Sequence, residues 1–355
     1  MKKFFASFAA LAVLTAALTG CGSAASTPST TAAATTATAA ATTATAAATT
    51  ATAAAAQDAK AEYKVAIVQQ LDHASLDEIR LAMEAELDKQ SAEKGITITY
   101  KEFNGQNDAT VLNQIGAQVV ADQYDAILPI ATLAATTMAT ATEDNQIPVI
   151  YAAISDPASS DLTGISNVTG TSDALNTQFI LDMMLAVQPD IETVGLLYSN
   201  SEVNSVTPIA EAKAYLDSKG IAYLEKTGNS TDEILTAASA MVGRVQAVFT
   251  PTDNVVMAAA SAVAEILTDA GIPHYTGADS FVTAGAFTTC GVNYTELGTY
   301  TADMAVDILL GGAIPEYHVM DGGIITVNTD TAKALNIDYS VFSTMAGTVK
   351  EVTTE

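Results

Sequence analysis

The amino-acid sequence predicts an α/β fold made of two similar lobes, each with a parallel sheet covered by helices on both faces. Apolar runs of strand length alternate with stretches of helical periodicity along most of the chain. This alternation occurs twice, once over residues 64–152 and again over residues 194–292. Several strand-length runs are apolar throughout, which is typical of parallel strands buried on both faces.

The first round begins with a predicted strand at residues 64–69, followed by a helix at 76–91 that ends before Gly95. It continues with a strand at 96–103, a helix at 108–122, a strand at 126–130, a helix at 133–142 and a strand at 147–152. A further helix is predicted at 177–187, and we interpret Asp173 as its N-cap.

The second round repeats the pattern after residue 190. Strands are predicted at residues 194–198, 221–226, 247–250, 273–276 and 286–292, and helices at 206–218, from 231 onward, at 255–270 and at 296–310. Residues 61–355 are enough to form two lobes, each with a core of its own.

The N-terminus carries a targeting signal. Two lysines are followed by an apolar run from Phe4 to Leu18, and residues 1–20 are therefore predicted to be a signal peptide. Leu18-Thr19-Gly20-Cys21 resembles a bacterial lipobox, which implies that Cys21 is lipidated and holds the protein on the extracytoplasmic face of the cell membrane. The alternative is an ordinary signal peptide with a chance cysteine. Residues 21–60 are Ala/Thr-rich and are interpreted as a tether.

The composition excludes several classes of function. The chain has 14 Lys and Arg against 40 Asp and Glu, a formal net charge of -26, so no basic face is expected for nucleic acid. Its two cysteines are Cys21 and Cys290, and we expect Cys290 to be a buried free thiol. His274 and His318 have no metal-ligand neighbours at useful spacing. With no nucleophile beside a base and no Gly-rich phosphate loop, we expect no enzyme activity and no cofactor.

Polar side chains follow the predicted strands, and in open α/β sheets such loops bind ligands. The stretch from Val194 to Ser205 shows this best, because an apolar strand leads into hydrogen-bonding residues before an Ala-rich helix. Turn and N-cap roles account for the same residue types, so both interpretations stay open. The candidate ligand-binding residues are Gln70, Asp72, Thr132, Ser155, Asp156, Tyr198, Asn200, Asn204, Ser205, Thr252, Asp253, Asn254, Asp279 and Tyr294.

These loops together carry a family resemblance. They are Gln70-Leu71-Asp72-His73, Ser155-Asp156-Pro157, Tyr198 to Ser205, Pro251-Thr252-Asp253-Asn254 and Cys290 to Gly298. Over residues 62–342 the chain resembles the substrate-binding lipoproteins of ABC importers of the tryptophan type. The resemblance implies the type I periplasmic-binding-protein fold, with two Rossmann-like lobes and crossing strands near 167–171, 293 and 327. Lobe 1 would contain residues 61–169 and 293–326, and lobe 2 residues 170–292 and 327–345.

The resemblance also implies a monomeric receptor that closes on a small molecule and delivers it to an ABC permease, touching the membrane only through its lipid anchor. A buried amino acid needs partners for both of its charges. Asp253, followed by Asp279, is the first choice for the ammonium group. Thr132 and Ser155 in the first lobe, and Asn200, Asn204 and Ser205 in the second, suit the carboxylate. Gln70 and Asp72 are weaker candidates, and His73 is interpreted as a surface loop residue.

The ligand side chain is less well defined by the sequence. Leu71, Tyr151, Tyr198 and Tyr294 lie beside the polar loops, which favours an aromatic amino acid without excluding a branched aliphatic one. A receptor for a sugar, a nucleoside or a signalling molecule on the same fold is the alternative. The chain has no Trp, and no Phe lies at a predicted strand end among these loops, which argues against ring stacking on a sugar.

Overall fold

The computed structural model describes residues 62–346 and 348–354, so the predicted signal peptide, tether and Cys21 lie outside the described residues. The strands are β1 (Glu62–Gln69), β2 (Thr97–Asn104), β3 (Ala126–Ile130), β4 (Val149–Tyr151), β5 (Val168–Ser172), β6 (Thr193–Tyr198), β7 (Ala222–Thr227), β8 (Ala247–Thr250), β9 (His274–Thr276), β10 (Thr288–Gly291), β11 (His318–Val319), β12 (Ile324–Asn328) and β13 (Thr348–Val352). Within the described part of the chain they form two sheets, as predicted.

The helices alternate with these strands. They are α1 (Ala74–Lys94), α2 (Ala109–Ala121), α3 (Thr132–Ala141), α4 (Thr177–Val187), α5 (Val206–Lys219), α6 (Thr231–Ser239), α7 (Asn254–Met257), α8 (Ala260–Asp269), α9 (Asp279–Thr283), α10 (Tyr294–Leu309) and α11 (Thr329–Ala334). Short 3-10 helices lie at Val203–Ser205 and Ser340–Thr344. No helix in residues 62–346 and 348–354 has both the length and the apolarity that a membrane crossing requires.

The first lobe is built on a sheet with the strand order β11-β5-β4-β3-β1-β2, and its pairs are parallel. Alternate residues of β1 point to opposite faces. Val65 and Ile67 pack with α1 and α10, whereas Ala66 and Val68 pack with α2 and α3. Burial on both faces explains why the sequence of this strand is almost wholly apolar.

The second lobe has the strand order β13-β12-β10-β9-β8-β6-β7. Its pairs are parallel except for β10 with β12, which is antiparallel, so the prediction of a parallel sheet is wrong at this one pair. The difference arises because the chain returns from the first lobe after β11 and enters the second sheet from the opposite end. Helices α4 and α5 cover one face, while α6 and α8 cover the other.

The chain passes between the lobes later than predicted at the first crossing and earlier than predicted at the third. All of β5 belongs to the first sheet, although the predicted boundary fell after residue 169. All of β12 belongs to the second sheet, although residues up to 326 were assigned to the first lobe. The connections therefore lie at residues 173–176, 292–293 and 320–323. Before the first of these, Gly170 is still paired with Tyr151 of β4, and with φ 154° it lies so close to Tyr151 that a β-carbon would clash.

Two local predictions need correction. Asp173 does not cap α4, because Asn176 does so by accepting a hydrogen bond from the Phe179 amide at 3.1 Å. The helix predicted at residues 255–270 is two helices, α7 and α8, which are separated at Ala259, where φ is -112°. The Ala-rich sequence contains no residue type that marks this break.

Helix α10 returns to the first lobe, as the family resemblance implied. It packs along α1, and Gly298 makes the close approach possible because a β-carbon there would lie 2.5 Å from the carbonyl oxygen of Ile79. Cys290 in β10 is buried, as predicted, and burial raises the pKa of its thiol to about 11. A thiol that stays protonated at neutral pH is a poor nucleophile.

Candidate functional site

The strand ends of the two sheets meet across a cleft that contains a small cavity. The predicted residues that line this interlobe cavity are Thr132, Ser155, Asn204, Thr252, Asp253, Asn254 and Tyr294. Apolar surface comes from Leu76, Met257 and Phe281. The cavity volume is only about 20 Å³, roughly the room that one water molecule needs. The lobes are therefore closed on each other in this structure.

The first-lobe wall is formed around the start of α3. This helix begins at Thr132 without a side-chain N-cap, and Ala131 before it has a positive φ of 74°. Gln70 lies behind the wall, where its Oε1 atom accepts a hydrogen bond from the Leu133 amide at 2.9 Å. A helix start favours a negatively charged ligand group, as expected for Thr132 from the sequence, although Gln70 already bonds one amide of this first turn.

Asp253 is fully buried at the start of α7. Its Oδ1 atom accepts a hydrogen bond from the Val256 amide at 2.9 Å. Its Oδ2 atom accepts from the Ser199 amide at 2.7 Å and from the Ser205 hydroxyl at 2.6 Å. Burial raises the pKa of the Asp253 carboxyl, and these bonds oppose the rise. Every one of these contacts lies within the second lobe, and the N-cap accounts for the side chain without a ligand.

Asp173 is a second buried carboxylate in the cavity wall, and the sequence interpretation missed it as a site residue. It accepts hydrogen bonds from the Ser155 hydroxyl at 2.9 Å and from the Tyr294 hydroxyl at 3.0 Å. Burial raises the pKa of the Asp173 carboxyl, with both hydroxyls opposing the rise. A usable signal was present, because Asp173 follows a strand end just as Asp253 and Asp279 do.

Hydrogen bonds join the two lobes around the cavity. The Ser155 and Thr252 hydroxyls lie 2.9 Å apart. At the rim, the Thr207 hydroxyl donates to Oδ2 of Asp156 at 2.7 Å. Asp156 therefore contributes to lobe contact and does not line the cavity itself.

His73 also contributes to lobe contact, and its interpretation as a surface residue was wrong. Its Nε2 atom lies 3.0 Å from Oδ1 of Asn254 in the second lobe. Burial lowers the pKa of the His73 imidazole, so the closed arrangement favours the neutral ring.

Glu202 is a further buried acid between the lobes that the sequence interpretation did not single out. Its Oε1 atom accepts a hydrogen bond from Gln70 at 3.3 Å, and its Oε2 atom accepts one from Asn254 at 2.7 Å. Burial, reinforced by the carboxylate of Asp253, raises the pKa of Glu202 to about 7. Closure of the lobes therefore involves a group that titrates near neutral pH.

Several predicted site residues lie away from the cavity. Tyr198 is the last residue of β6, and its side chain points away from the cavity because successive strand side chains alternate between the two faces of the sheet. Its hydroxyl donates a hydrogen bond to Glu225 at 2.9 Å. Asn200 is exposed and donates to Thr227. Asp72 is also exposed.

Two more predicted residues take other positions. Asp279 begins α9 and points toward Lys350 of β13, with 3.4 Å between Oδ2 and Nζ. Ser205 lies behind the wall, bonded to Asp253. Neither Asp279 nor Ser205 lines the interlobe cavity in this closed structure.

A family model described as ABC transporter substrate binding protein matches residues 64–348. The chain is an ABC transporter substrate-binding protein. Members of this family are extracytoplasmic solute-binding proteins. The type I periplasmic-binding-protein fold implied by the sequence resemblance is confirmed by solved structures of the same architecture.

Relatives of this substrate-binding protein include receptors for aromatic amino acids. A tyrosine-binding protein of Clostridioides difficile (strain R20291) is 29% identical over 287 residues, which are 79% of this chain and 83% of the relative. A Streptococcus pneumoniae ABC domain in complex with L-Trp is 30% identical with a TM-score of 0.75, covering 81% of this chain and 99% of that one. A ligand-free, open substrate-binding protein with adhesive properties from Clostridium difficile is 31% identical with a TM-score of 0.63. The match covers 82% of this chain and 100% of that one.

The two TM-scores agree with the geometry of the cleft. The chain superposes better on the L-Trp complex than on the ligand-free, open protein, although the sequence identities are nearly equal. Together with the small cavity and the interlobe hydrogen bonds, this indicates that the two lobes of the substrate-binding protein are closed in this structure.

Proposed function

We propose that this substrate-binding protein captures a free aromatic amino acid between its lobes and passes it to an ABC permease. The observation that carries the proposal is the interlobe cavity, which combines a buried carboxylate, the start of helix α3 and an apolar wall. A free amino acid has an ammonium group, a carboxylate and a side chain that match these three features. The tyrosine-binding and L-Trp-bound relatives support an aromatic side chain.

The apolar wall differs from the one expected from the sequence. Tyr151 and Tyr198 do not line the interlobe cavity, whereas Phe281, Met257 and Leu76 do. An aromatic ring packs favourably against Phe and against the polarisable sulfur of Met. We therefore assign the ligand side chain to this part of the cavity, with Tyr294 beside it.

Ligand entry requires the lobes to separate, because the closed cavity has room for about one water molecule. The connections at residues 173–176, 292–293 and 320–323 are the places where a hinge motion would act. Opening breaks the bonds from Ser155 to Thr252 and from His73 to Asn254. Small-angle scattering should show compaction when ligand is added, and an unchanged profile at saturation would contradict the hinge.

The ligand class is tested by thermal-shift and calorimetric screening of the purified protein. We expect L-tryptophan or L-tyrosine to raise its melting temperature, because a ligand at a hundred times its Kd stabilises the folded state by ~2.7 kcal/mol. L-leucine, sugars and nucleosides serve as comparison ligands. Stabilisation by a sugar or nucleoside and not by any amino acid would overturn the proposal.

We also propose that Cys21 is lipidated and that residues 22–60 tether the domain to the outer face of the cell membrane. The lipobox-like Leu18-Thr19-Gly20-Cys21 supports the anchor. The protein should then fractionate with membranes, and Cys21→Ser should release it or leave it unprocessed. An unmodified Cys21 at the mature N-terminus, seen by mass spectrometry, would contradict the anchor.

A further inference from the structure

Asp173 lies at a junction of three parts of the molecule. It belongs to the first connection between the lobes, directly after β5. Its Oδ2 atom is bonded by Tyr294, which follows the second connection, 121 residues further along the chain. Its Oδ1 atom is bonded by Ser155, whose hydroxyl also reaches Thr252 in the second lobe. A group bound to this carboxylate would therefore be linked to the second hinge connection through Tyr294, and to the second lobe through Ser155 and then Thr252.

The carboxylate of Asp173 has capacity left for a ligand. An ionised carboxylate offers about four acceptor positions, and Asp173 uses two of them on hydroxyl groups. Hydroxyls can rotate and also accept hydrogen bonds, so they can adjust to a ligand donor. Asp253 differs, because two of its donors are backbone amides held in place by the fold.

The charge of Asp173 also lacks compensation within the protein. Only 4% of the residue is exposed, and no Lys or Arg is among the described residues that line the interlobe cavity. An ionised carboxylate buried without a cation is costly, and a ligand ammonium would offset that cost. His73 also lines the cavity, but its ring is bonded to Asn254.

We infer that Asp173, rather than Asp253 or Asp279, binds the ammonium group of the ligand. Ser155 and Tyr294 orient the Asp173 carboxylate for this contact. This inference rests on the proposed function, because it concerns the amino group of the same ligand. It adds that the amino group is recognised beside the hinge, where its binding also connects the two lobes through Ser155 and Thr252. A ligand without an amino group would leave this carboxylate buried and unpaired.

The test compares Asp173→Asn with the wild-type protein, using L-tryptophan and its des-amino analogue indole-3-propionate, or L-tyrosine and its analogue 3-(4-hydroxyphenyl)propionate. Asn is nearly isosteric; it removes the charge and replaces one acceptor oxygen by an NH₂ group, which the Ser155 or Tyr294 hydroxyl can accommodate by rotating to accept a hydrogen bond. We expect Asp173→Asn to weaken amino-acid binding by about 100-fold or more and not to weaken binding of the analogue, because the analogue has no ammonium group to pair with the carboxylate. Weak affinities are measured by ligand-observed NMR, and strong ones by calorimetry.

Asp72→Asn is the matched control, because it removes the same charge from an exposed position in the loop after β1. It should leave both affinities within about twofold of wild type. Equal losses for the amino acid and its analogue in Asp173→Asn, or wild-type affinity for both, would overturn the inference. If Asp173→Asn does not fold, Asp173→Ser is measured in the same way. Failure of the proposed function is recognised separately, because the wild-type protein would then bind no amino acid.

Discussion

Asp173 and Asp253 are the same residue type, follow strand ends, and are buried in the wall of one cavity. Asp253 accepts its three hydrogen bonds from the second lobe, and two of the donors are backbone amides. Asp173 accepts hydrogen bonds from the side-chain hydroxyls of Ser155 and Tyr294, which both belong to the first lobe. Burial raises the pKa of both carboxyls, so burial alone does not distinguish their roles.

The difference lies in the kind of donor. Backbone amides are fixed by the fold, so a carboxylate that satisfies them is part of the structure of its own lobe. Hydroxyls can be redirected, so a carboxylate held by them can accept another partner. The comparison therefore assigns Asp253 to stability and Asp173 to binding, and each assignment can be challenged separately.

The largest expected effect is on the stability of the second lobe. Asp253→Asn places an amide NH₂ against the Ser199 amide or the Ser205 hydroxyl and leaves a buried donor unpaired. We expect the free energy of unfolding to fall by ~3 kcal/mol, because hydrogen bonds to a charged acceptor are lost in a buried site. Urea denaturation measures the change. A loss below ~1 kcal/mol, together with abolished ligand binding in the folded protein, would reverse the two assignments.

A second effect concerns Glu202, which lies beside Asp253. The pKa of Glu202 is raised from 4.5 in the unfolded chain to about 7 in the folded protein. Between pH 4.5 and pH 7 the folded protein therefore binds more protons than the unfolded chain. The contribution of Glu202 to stability must then fall as the pH rises through this range. The free energy of unfolding of Glu202→Gln, measured relative to wild type, should therefore rise by ~2 kcal/mol between pH 5 and pH 7.

Unfolding experiments at several pH values measure this difference. The lowered pKa of His73 acts with the opposite sign, because its contribution is lost as the pH falls below 6.5. His73 is present in both proteins, so its contribution cancels in the comparison. Parallel stability curves for wild type and Glu202→Gln would show that Glu202 titrates normally.

A smaller effect is expected at the rim of the cleft. Thr207→Val keeps the shape of the side chain and removes the hydroxyl that bonds Asp156 across the lobes. Loss of about 1 kcal/mol from the closed state should weaken ligand binding about fivefold. Because Thr207 is not in the cavity lining, the preference for an amino acid over its des-amino analogue should not change. A changed preference would place the ligand nearer to this rim.

The smallest effect is expected for Asp279→Asn. The Asp279 side chain is 21% exposed and faces Lys350, whose side chain is 54% exposed. An ion pair of this kind contributes little, so we expect stability to change by less than ~0.5 kcal/mol and affinity by less than about twofold. Urea denaturation measures the stability, and calorimetry with the same ligands measures the affinity. A tenfold loss of amino-acid affinity would return Asp279 to the ligand site.

The sequence by itself determined most of the elements between β1 and α10 and the edge of each sheet at which the interlobe cavity lies. Helix α4 and strands β3 and β8 have the predicted bounds, because periodicity and strand-length apolar runs are local properties. The cavity also lies at the predicted strand ends, since parallel strands place their following loops at one edge. Thr132, Ser155, Asn204, Thr252, Asp253, Asn254 and Tyr294 were all identified as candidates in this way and do line the cavity.

Only the tertiary structure decided what those side chains and their neighbours do. Asp173 is read as a helix cap from its local sequence, whereas its partners come from residues 18 and 121 positions away. Glu202 and His73 meet partners in the opposite lobe, and Tyr198 points away because of its register in β6. These roles depend on which segments the folded chain brings together. Local patterns identify residue types near a site but do not determine their hydrogen-bond partners or the charges around them.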